Sequence, residues 1–385
     1  MLEIKRVPDK IYFNNLDGLR FFCFLSVFFF HSFNTDYIQI KNSPVYIFFK
    51  HTLFGNGFLG VNFFFVLSGF LITYLLIKEK KKNNNIQIVN FWIRRILRIW
   101  PLYFASVFYG FVIFPYTKIL SGSVPNETAN PWYYLGFISN FDYIKKGLPD
   151  ARGLGVLWSV AIEEQFYLAW PVILSFFPVK KFWMPLTVIL MGSLVFRALY
   201  DVPILHEMHT LSCIGDMALG GLGAWLILES PSFKKGINNL PKSVIVLIYA
   251  AFAFVFLFRD EFLLSTYVLR VFERLIISSI MLLIILEQCY AQHSFYKMGN
   301  FKIASRLGLI TYGLYCLHFI IISATSALIT KASLNTKVWQ VIFLETIVAL
   351  LITIAVSLFS YRYFEKPFLR LKEKFAFKAK RQMSN

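Results

Sequence analysis

Two ionisable side chains lie within the first apolar run of this 385-residue chain, Arg20 and His31, eleven positions apart. Eleven steps of ~100° make three turns plus about 20°, so both fall on one helix face, roughly 16 Å apart along the axis. An imidazole titrates near neutral pH and suits proton transfer, whereas a guanidinium is a permanent charge with forked donors. An Arg near a helix centre costs about 2.5–3.5 kcal/mol in hydrocarbon and so calls for a partner or a task. Two readings stand at this point. Either Arg20 snorkels to the inner headgroups while His31 bonds a neighbouring helix, or the two serve a reaction.

A second constellation begins at Trp158-Ser159. Ser159, Glu163 and Tyr167 follow at i, i+4 and i+8 and form one polar stripe on a helix. Glu164 is turned ~100° from Glu163, so only one of the two carboxylates points at a given site. Further along, Arg197, Asp216, Arg270, Glu273, Arg274 and Glu345 fall in the outer halves of apolar runs, and His318 lies near mid-run after Tyr312 and Tyr315. Ion pairing of Arg270 and Arg274 with Glu273 is the structural account for part of this set. Between Phe91 and Trp100, Arg94, Arg95 and Arg98 alternate with Trp92, Ile93, Ile96, Leu97 and Ile99, the pattern of a basic amphipathic helix at the inner interface. His206-Glu207-Met208-His209 before Cys213 has i, i+3 ligand spacing but no further ligands, so no metal site is expected. Gly220, Gly221 and Gly223 mark close helix packing. P-loop, Rossmann and nucleophile-elbow patterns are absent.

The elements that hold these residues follow from composition. The chain is 57% hydrophobic and 16% charged, with 44 Phe and a mean hydropathy of +0.59. Soluble domains carry about 25% charged residues, so a soluble globular protein is excluded, and so is a disordered one. Ten apolar runs long enough to span a bilayer lie near 16–35, 57–77, 100–120, 156–177, 182–200, 210–228, 243–258, 266–287, 307–329 and 338–360. The expected fold is an all-α polytopic membrane protein of about ten transmembrane helices. Its net charge of +18 does not indicate nucleic acid, because the 39 basic residues cluster between the apolar runs and point to the lipid bilayer as partner. With the N-terminus inside, 26 Lys and Arg fall in inner segments and 9 in outer ones, which places both termini in the cytoplasm. Lys5, Arg6 and Lys10 before an apolar run resemble a signal peptide, but no small-residue cleavage site follows, so the first helix is expected to stay. Cys23, Cys213, Cys289 and Cys316 show no CxxC spacing and read as small buried hydrophobes. The aromatic residues Trp132, Tyr133, Tyr134 and Phe137 of the longest outer loop, about 121–155, are expected to dip back toward the membrane. The organisation is a membrane domain over residues 11–362 and a basic cytoplasmic tail over 363–385.

Several of these motifs occur in one order. Arg20-x10-His31 follows Leu16-Asp17-Gly18-Leu19; then come Gly60-Val61-Asn62-Phe63-Phe64-Phe65-Val66-Leu67-Ser68-Gly69-Phe70 and Arg95-x-x-Arg98 leading into Pro101-Leu102-Tyr103. Trp158-Ser159 with Glu163 and Phe166-Tyr167, Gly215-Asp216 with Leu219-Gly220, Tyr312-Gly313-Leu314-Tyr315-Cys316-Leu317-His318 and Tyr363-Phe364-Glu365-Lys366-Pro367 extend the series. In order and spacing the chain resembles the acyltransferase-3 family of integral membrane acyltransferases, over most of its length. The resemblance implies an O-acyltransferase of the cytoplasmic (inner) membrane that moves an acyl group, commonly acetyl, from acetyl-CoA to a hydroxyl of a cell-envelope carbohydrate or glycolipid. Lipopolysaccharide, exopolysaccharide or a related glycan would be O-acetylated, and acyl-CoA would be a donor substrate, not a permanent cofactor.

It also implies roles. His31 would be the base that takes the acceptor's proton, and Glu163 would orient His31 or offset its developing charge. Arg95 and Arg98, one helical turn apart, would bind the coenzyme A phosphates. Arg20 would hold the donor or polarise its carbonyl, while Arg94 would face lipid phosphate. Some family members carry a fused extracytoplasmic domain, and after the tenth run only a short basic segment is expected here. A secondary transporter of an envelope precursor is the competing reading, but it predicts paired halves with interrupted helices, which the sequence does not show.

Overall fold

The computed structural model describes residues 13–375. Of the basic residues that set the topology, Lys5, Arg6, Lys10, Lys378, Lys380 and Arg381 lie outside the described residues. The described chain is helical and contains no strand. Ten long helices take up the ten apolar runs: α1 (Asn14–His31), α2 (Leu59–Asn83), α3 (Ile88–Phe108), α4 (Leu157–Ser175), α5 (Trp183–Leu199), α6 (Thr210–Glu229), α7 (Lys242–Phe262), α8 (Tyr267–Tyr290), α9 (Thr311–Lys331) and α10 (Thr346–Ser360). Among the described residues, seven helical stretches are long and apolar enough to cross a membrane by length and composition. The long helices outside that set are α1, α4 and α8. These carry Asp17, Arg20 and His31, Glu163 and Glu164, and Arg270, Glu273 and Arg274. Ionisable residues within these helices keep them out of that set.

The helix boundaries differ from expectation around Trp100. The basic stretch Phe91–Trp100 is not a separate interfacial helix; it is the first half of α3, which runs on through Pro101 and a π-helical turn (Tyr109–Ile113) to Leu120. Proline removes one backbone donor, and neighbouring helices in a bundle can absorb that loss, so the helix continues. Arg95 and Arg98 are thereby fixed to a long rigid rod. At the other end, α10 passes through a second π-helical turn (Tyr361–Glu365) into the short helix Lys366–Lys372 and a final turn, Glu373–Phe375. Of the segment 363–385, residues through Phe375 are therefore helical, and they pack back on α3.

Helices α2 and α6 meet backbone to backbone. A Cβ on Gly220 would lie 2.0 Å from the Val66 carbonyl oxygen, and one on Gly69 would lie 1.9 Å from that of Met217. With lipid on all sides, small residues let helices approach and gain dispersion contacts. Gly220→Ala is expected to destabilise the protein by about 1–3 kcal/mol, because neither backbone can give way. The matched control is Gly192→Ala, where nothing lies within 4 Å. Thermal unfolding in detergent should show a lowered Tm for the first variant and none for the second.

The start of α1 is held at both its backbone and its side chains. Gly308 packs against the Asp17 carbonyl, Asn15 Nδ2 donates to the Gln288 carbonyl at 2.7 Å, and the Gly299 N–H donates to Asn15 Oδ1 at 3.0 Å. In the segment 121–155, Phe137 stacks on Tyr103 with ring centroids 4.4 Å apart, and the buried Tyr134 offers its carbonyl to the Tyr103 hydroxyl at 2.8 Å. Trp132 is exposed instead. The inward turn belongs to the residues that pack on α3, not to all four aromatics.

Candidate active site

A chamber of about 460 Å³ opens between α1, α2, α3, α4 and α9, with residues of the C-terminal turn at its rim. Arg20, Arg95, Arg98 and Glu163 all line it. So do Ser159 and Tyr167, and the polar stripe of α4 therefore faces a common space. Four positions drawn from three helices thus converge.

The three arginines differ in how they are held. Arg20 pairs with Asp17 one turn earlier on α1, a carboxylate that is almost wholly buried. Arg95 lies over the rings of Phe91 and Tyr167, 5.6 and 5.5 Å from their centroids, and its Nε is buried without a hydrogen-bond acceptor. Arg98 makes no hydrogen bond or ion pair among the described residues. Two guanidinium groups with unspent donors beside an open chamber form a receptor for an anion with several oxygens. Arg94 departs from expectation. It does not face lipid but turns inward, ion-paired with the buried Glu79 at 3.4 Å and donating to the Phe375 carbonyl at 2.9 Å. A nearby buried carboxylate outweighs the headgroup layer in setting its direction.

Glu163 accepts from Ser68 Oγ at 3.0 Å and from the Tyr167 hydroxyl at 2.9 Å, and Tyr167 also reaches Ser68 Oγ at 3.1 Å. Glu164, on the adjacent face, accepts from Trp100 Nε1 at 2.8 Å. The two carboxylates are therefore divided as the helical geometry requires. His31 is not hydrogen-bonded to Glu163, whose oxygens are occupied by Ser68 and Tyr167. Its ring stacks on Phe319 at 4.4 Å and stands 5.4 Å from that of His318. Nor does His31 line the chamber. Tyr315 does, and its ring is 5.7 Å from that of His318, so Tyr315 and His318 bridge the chamber and His31.

Lys50 approaches the C-terminal end of α1. Its ammonium donates to the carbonyls of Phe30 at 3.0 Å and Ser32 at 2.8 Å, the residues on either side of His31. These are among the carbonyls left unsatisfied at the end of α1. Burial pushes the Lys50 ammonium down to about 8.

The remaining intramembrane charges form a separate buried network. Glu273 is shared by Arg197 at 2.9 Å and Arg259 at 2.5 Å, while Arg274 pairs with Asp216, which also accepts from Ser278 Oγ at 2.7 Å. Arg270 pairs at 2.6 Å with Asp201. The expected pairing of Arg270 and Arg274 with Glu273 is thus replaced by partners on other helices and loops. Arg274 directly follows Glu273 and is turned ~100° from it on the helix, so the two face different neighbours. In the His206–His209 stretch, His206 Nε2 contacts the Arg197 carbonyl at 3.0 Å, and His209 Nδ1 accepts from the Leu211 N–H at 3.2 Å and caps α6.

Sequence reasoning gave Ser68 and Tyr315 no role in the site and placed Tyr167 on the polar stripe of α4 without assigning it one. The one available signal was a hydroxyl or phenol inside an otherwise apolar run. Lys372 and Glu373 also line the chamber. Nothing local marks them, because their segment reads as a solvated basic tail.

A polytopic helical membrane protein with an arginine-lined chamber and a histidine beyond its end is the class that this fold and site define. Residues 13–362 match the acyltransferase-3 family, described as an acyltransferase domain, and the chain belongs to that family. Among its curated relatives, the peptidoglycan O-acetyltransferase OatA of Listeria monocytogenes is 28% identical over 340 residues, covering 81% of this chain and 51% of that protein. The O-acetyltransferase OatA of Staphylococcus aureus is 28% identical over 385 residues, covering 95% of this chain and 58% of the relative. The chain thus spans little more than half the length of these relatives. No solved structure matches it significantly.

Proposed function

We propose that this protein is a membrane O-acyltransferase that takes an acyl group, in the simplest case acetyl, from cytoplasmic acetyl-CoA and delivers it to a hydroxyl of a cell-envelope glycan. The observation that carries this reading is the pair Arg95 and Arg98, neither in an ion pair with a carboxylate among the described residues, set beside a chamber whose volume lies in the range of about 300–1,000 Å³ usual for small-molecule sites. Coenzyme A brings phosphates to such a pair. The printed name of the Listeria relative makes peptidoglycan the first acceptor to test.

In this reading the ten long helices span the cytoplasmic membrane with both termini inside, as the distribution of basic residues favours. Arg95 and Arg98 hold the donor's phosphates near the inner end of α3, and Arg20, kept in place by Asp17, reaches the donor within the chamber. His31 takes the proton of the acceptor hydroxyl as its oxygen attacks the thioester carbonyl carbon. The carbon–sulfur bond breaks, and the thiolate leaves with a proton. Glu163 lines the donor chamber with Ser68 and Tyr167 and acts there on the charge of Arg95, not as a hydrogen-bond partner of His31.

Sidedness tests the proposal. Inside-out vesicles given labelled acetyl-CoA on the cytoplasmic face should acylate a muramyl disaccharide held in the lumen, and single cysteines at Asn84 and Asn126, in a background lacking the native four, should label from opposite faces. Donor use only from the lumen, or labelling of both positions from one side, would refute the transmembrane route.

A further inference from the structure

We propose that His318 is the positioning partner of His31: it accepts a hydrogen bond from one ring nitrogen of His31 and so leaves the other nitrogen as the free base. This rests on His31 being the base. His318 is completely buried, and its Nδ1 lies 2.6 Å from the Tyr315 carbonyl oxygen. A carbonyl only accepts, so Nδ1 carries the proton and Nε2 presents a lone pair. That Nε2 is buried with no hydrogen-bond partner among the described residues.

Among the rings packed around it, His31 is the one that can supply the missing donor. Phe24, Phe28 and Phe319 ring the imidazole, with centroids 5.8, 6.4 and 6.2 Å away, and offer no donor. The Tyr315 hydroxyl is already engaged with Ser159 Oγ at 2.6 Å and with the Val156 carbonyl at 3.2 Å. The remaining polar ring in this shell is His31, 5.4 Å away between centroids and tilted by 43°. Among the described residues no hydrogen bond holds the His31 ring elsewhere, so rotation about its side-chain torsions can turn an N–H toward His318 Nε2.

The chemistry follows from the tautomer. With one nitrogen donating to His318, the other nitrogen of a neutral His31 has its lone pair free for the acceptor's hydroxyl proton. As the new carbon–oxygen bond forms and the thioester's carbon–sulfur bond breaks, His31 becomes an imidazolium, and its bond to His318 becomes charge-assisted. The proton then passes from His31 to the leaving thiolate, which restores the neutral pair. His318 keeps its own Nδ1 proton throughout and touches no substrate. It fills the orienting position that sequence reasoning gave to Glu163.

The test uses the full chain in nanodiscs, with acetyl-CoA, a muramyl disaccharide and detection of released coenzyme A. His318→Asn keeps a donor for the Tyr315 carbonyl but removes the distal acceptor, and His318→Phe keeps the ring shape alone. Both should lower kcat about 10–100-fold, by analogy with the partners that orient metal-bound imidazoles, with KM for acetyl-CoA unchanged. His318→Gln returns an acceptor near the Nε2 position and should restore most of the turnover. Turnover close to wild type in the Asn and Phe variants, or a Gln variant as slow as Phe, would overturn the role of His318. If His31→Ala itself turns over normally, the base assignment fails first, so the two failures are distinguishable. Nitrogen-15 NMR of the histidines in wild-type protein supplies a readout that does not depend on variant yield. His318 should be protonated at Nδ1, with an Nε2 signal that shifts in His31→Ala. Protonation at Nε2, or no shift, would overturn the proposal.

Discussion

His31→Ala should lower acyl transfer by roughly 10²–10⁴-fold, the usual worth of a positioned general base, while membrane insertion and yield stay close to wild type. The imidazole sits at the end of α1 against Phe319 and His318, where an alanine removes contacts without introducing a charge into hydrocarbon. Donor affinity should hold, because the chamber that contains Arg20, Arg95 and Arg98 does not include His31. Rapid-quench turnover with labelled acetyl-CoA, together with equilibrium binding of the same donor, separates these effects. Wild-type turnover in a well-folded variant would remove the base assignment. A loss of donor affinity equal to the loss of rate would instead place His31 within the donor site.

Arg95→Ala and Arg98→Ala should each weaken acetyl-CoA binding by about 10–100-fold, corresponding to hydrogen bonds to a charged group worth about 1.5–3 kcal/mol. Neither arginine has an ion-pair partner among the described residues to leave stranded, so the variants lose ligand contacts without breaking a salt bridge. Arg95→Ala also gives up the stacking over Phe91 and Tyr167, so it should be the less thermally stable of the two. Lysine at either position should rescue in part, since an ammonium restores the charge but not the planar fork. Isothermal titration with acetyl-CoA provides the measurement. Unchanged affinity in both alanine variants would end the phosphate assignment.

Much of the site was legible along single helices. Arg20 and His31, Arg95 and Arg98, and Ser159, Glu163 and Tyr167 were grouped by a period of 3.6 residues, and within a helix that period is set by the backbone alone. What linked one helix to the next was not legible. Glu163 is spent on Ser68 and Tyr167, Arg274 takes Asp216 in place of Glu273, and Arg94 turns to Glu79 and Phe375. Each of these partners is chosen by the rotation and axial shift of two packed helices, which periodicity does not encode.

The sequence by itself determined that the chain is a helical membrane protein, where its long apolar helices lie, which family it belongs to and which residues on each helix share a face. Those properties come from hydropathy, from helical repeat and from the order of short motifs, all of which are local. Only the tertiary structure decided that three arginines and Glu163 share one chamber while His31 stands outside it, beside His318. It also decided that Lys372 and Glu373, in a segment read as tail, reach the chamber's rim. The physical reason is that backbone contacts such as Gly69 on Met217 and Gly220 on Val66 fix how far each helix slides and turns against the next. A shift of one residue at such a contact moves a side chain by ~1.5 Å and ~100°, enough to exchange one partner for another.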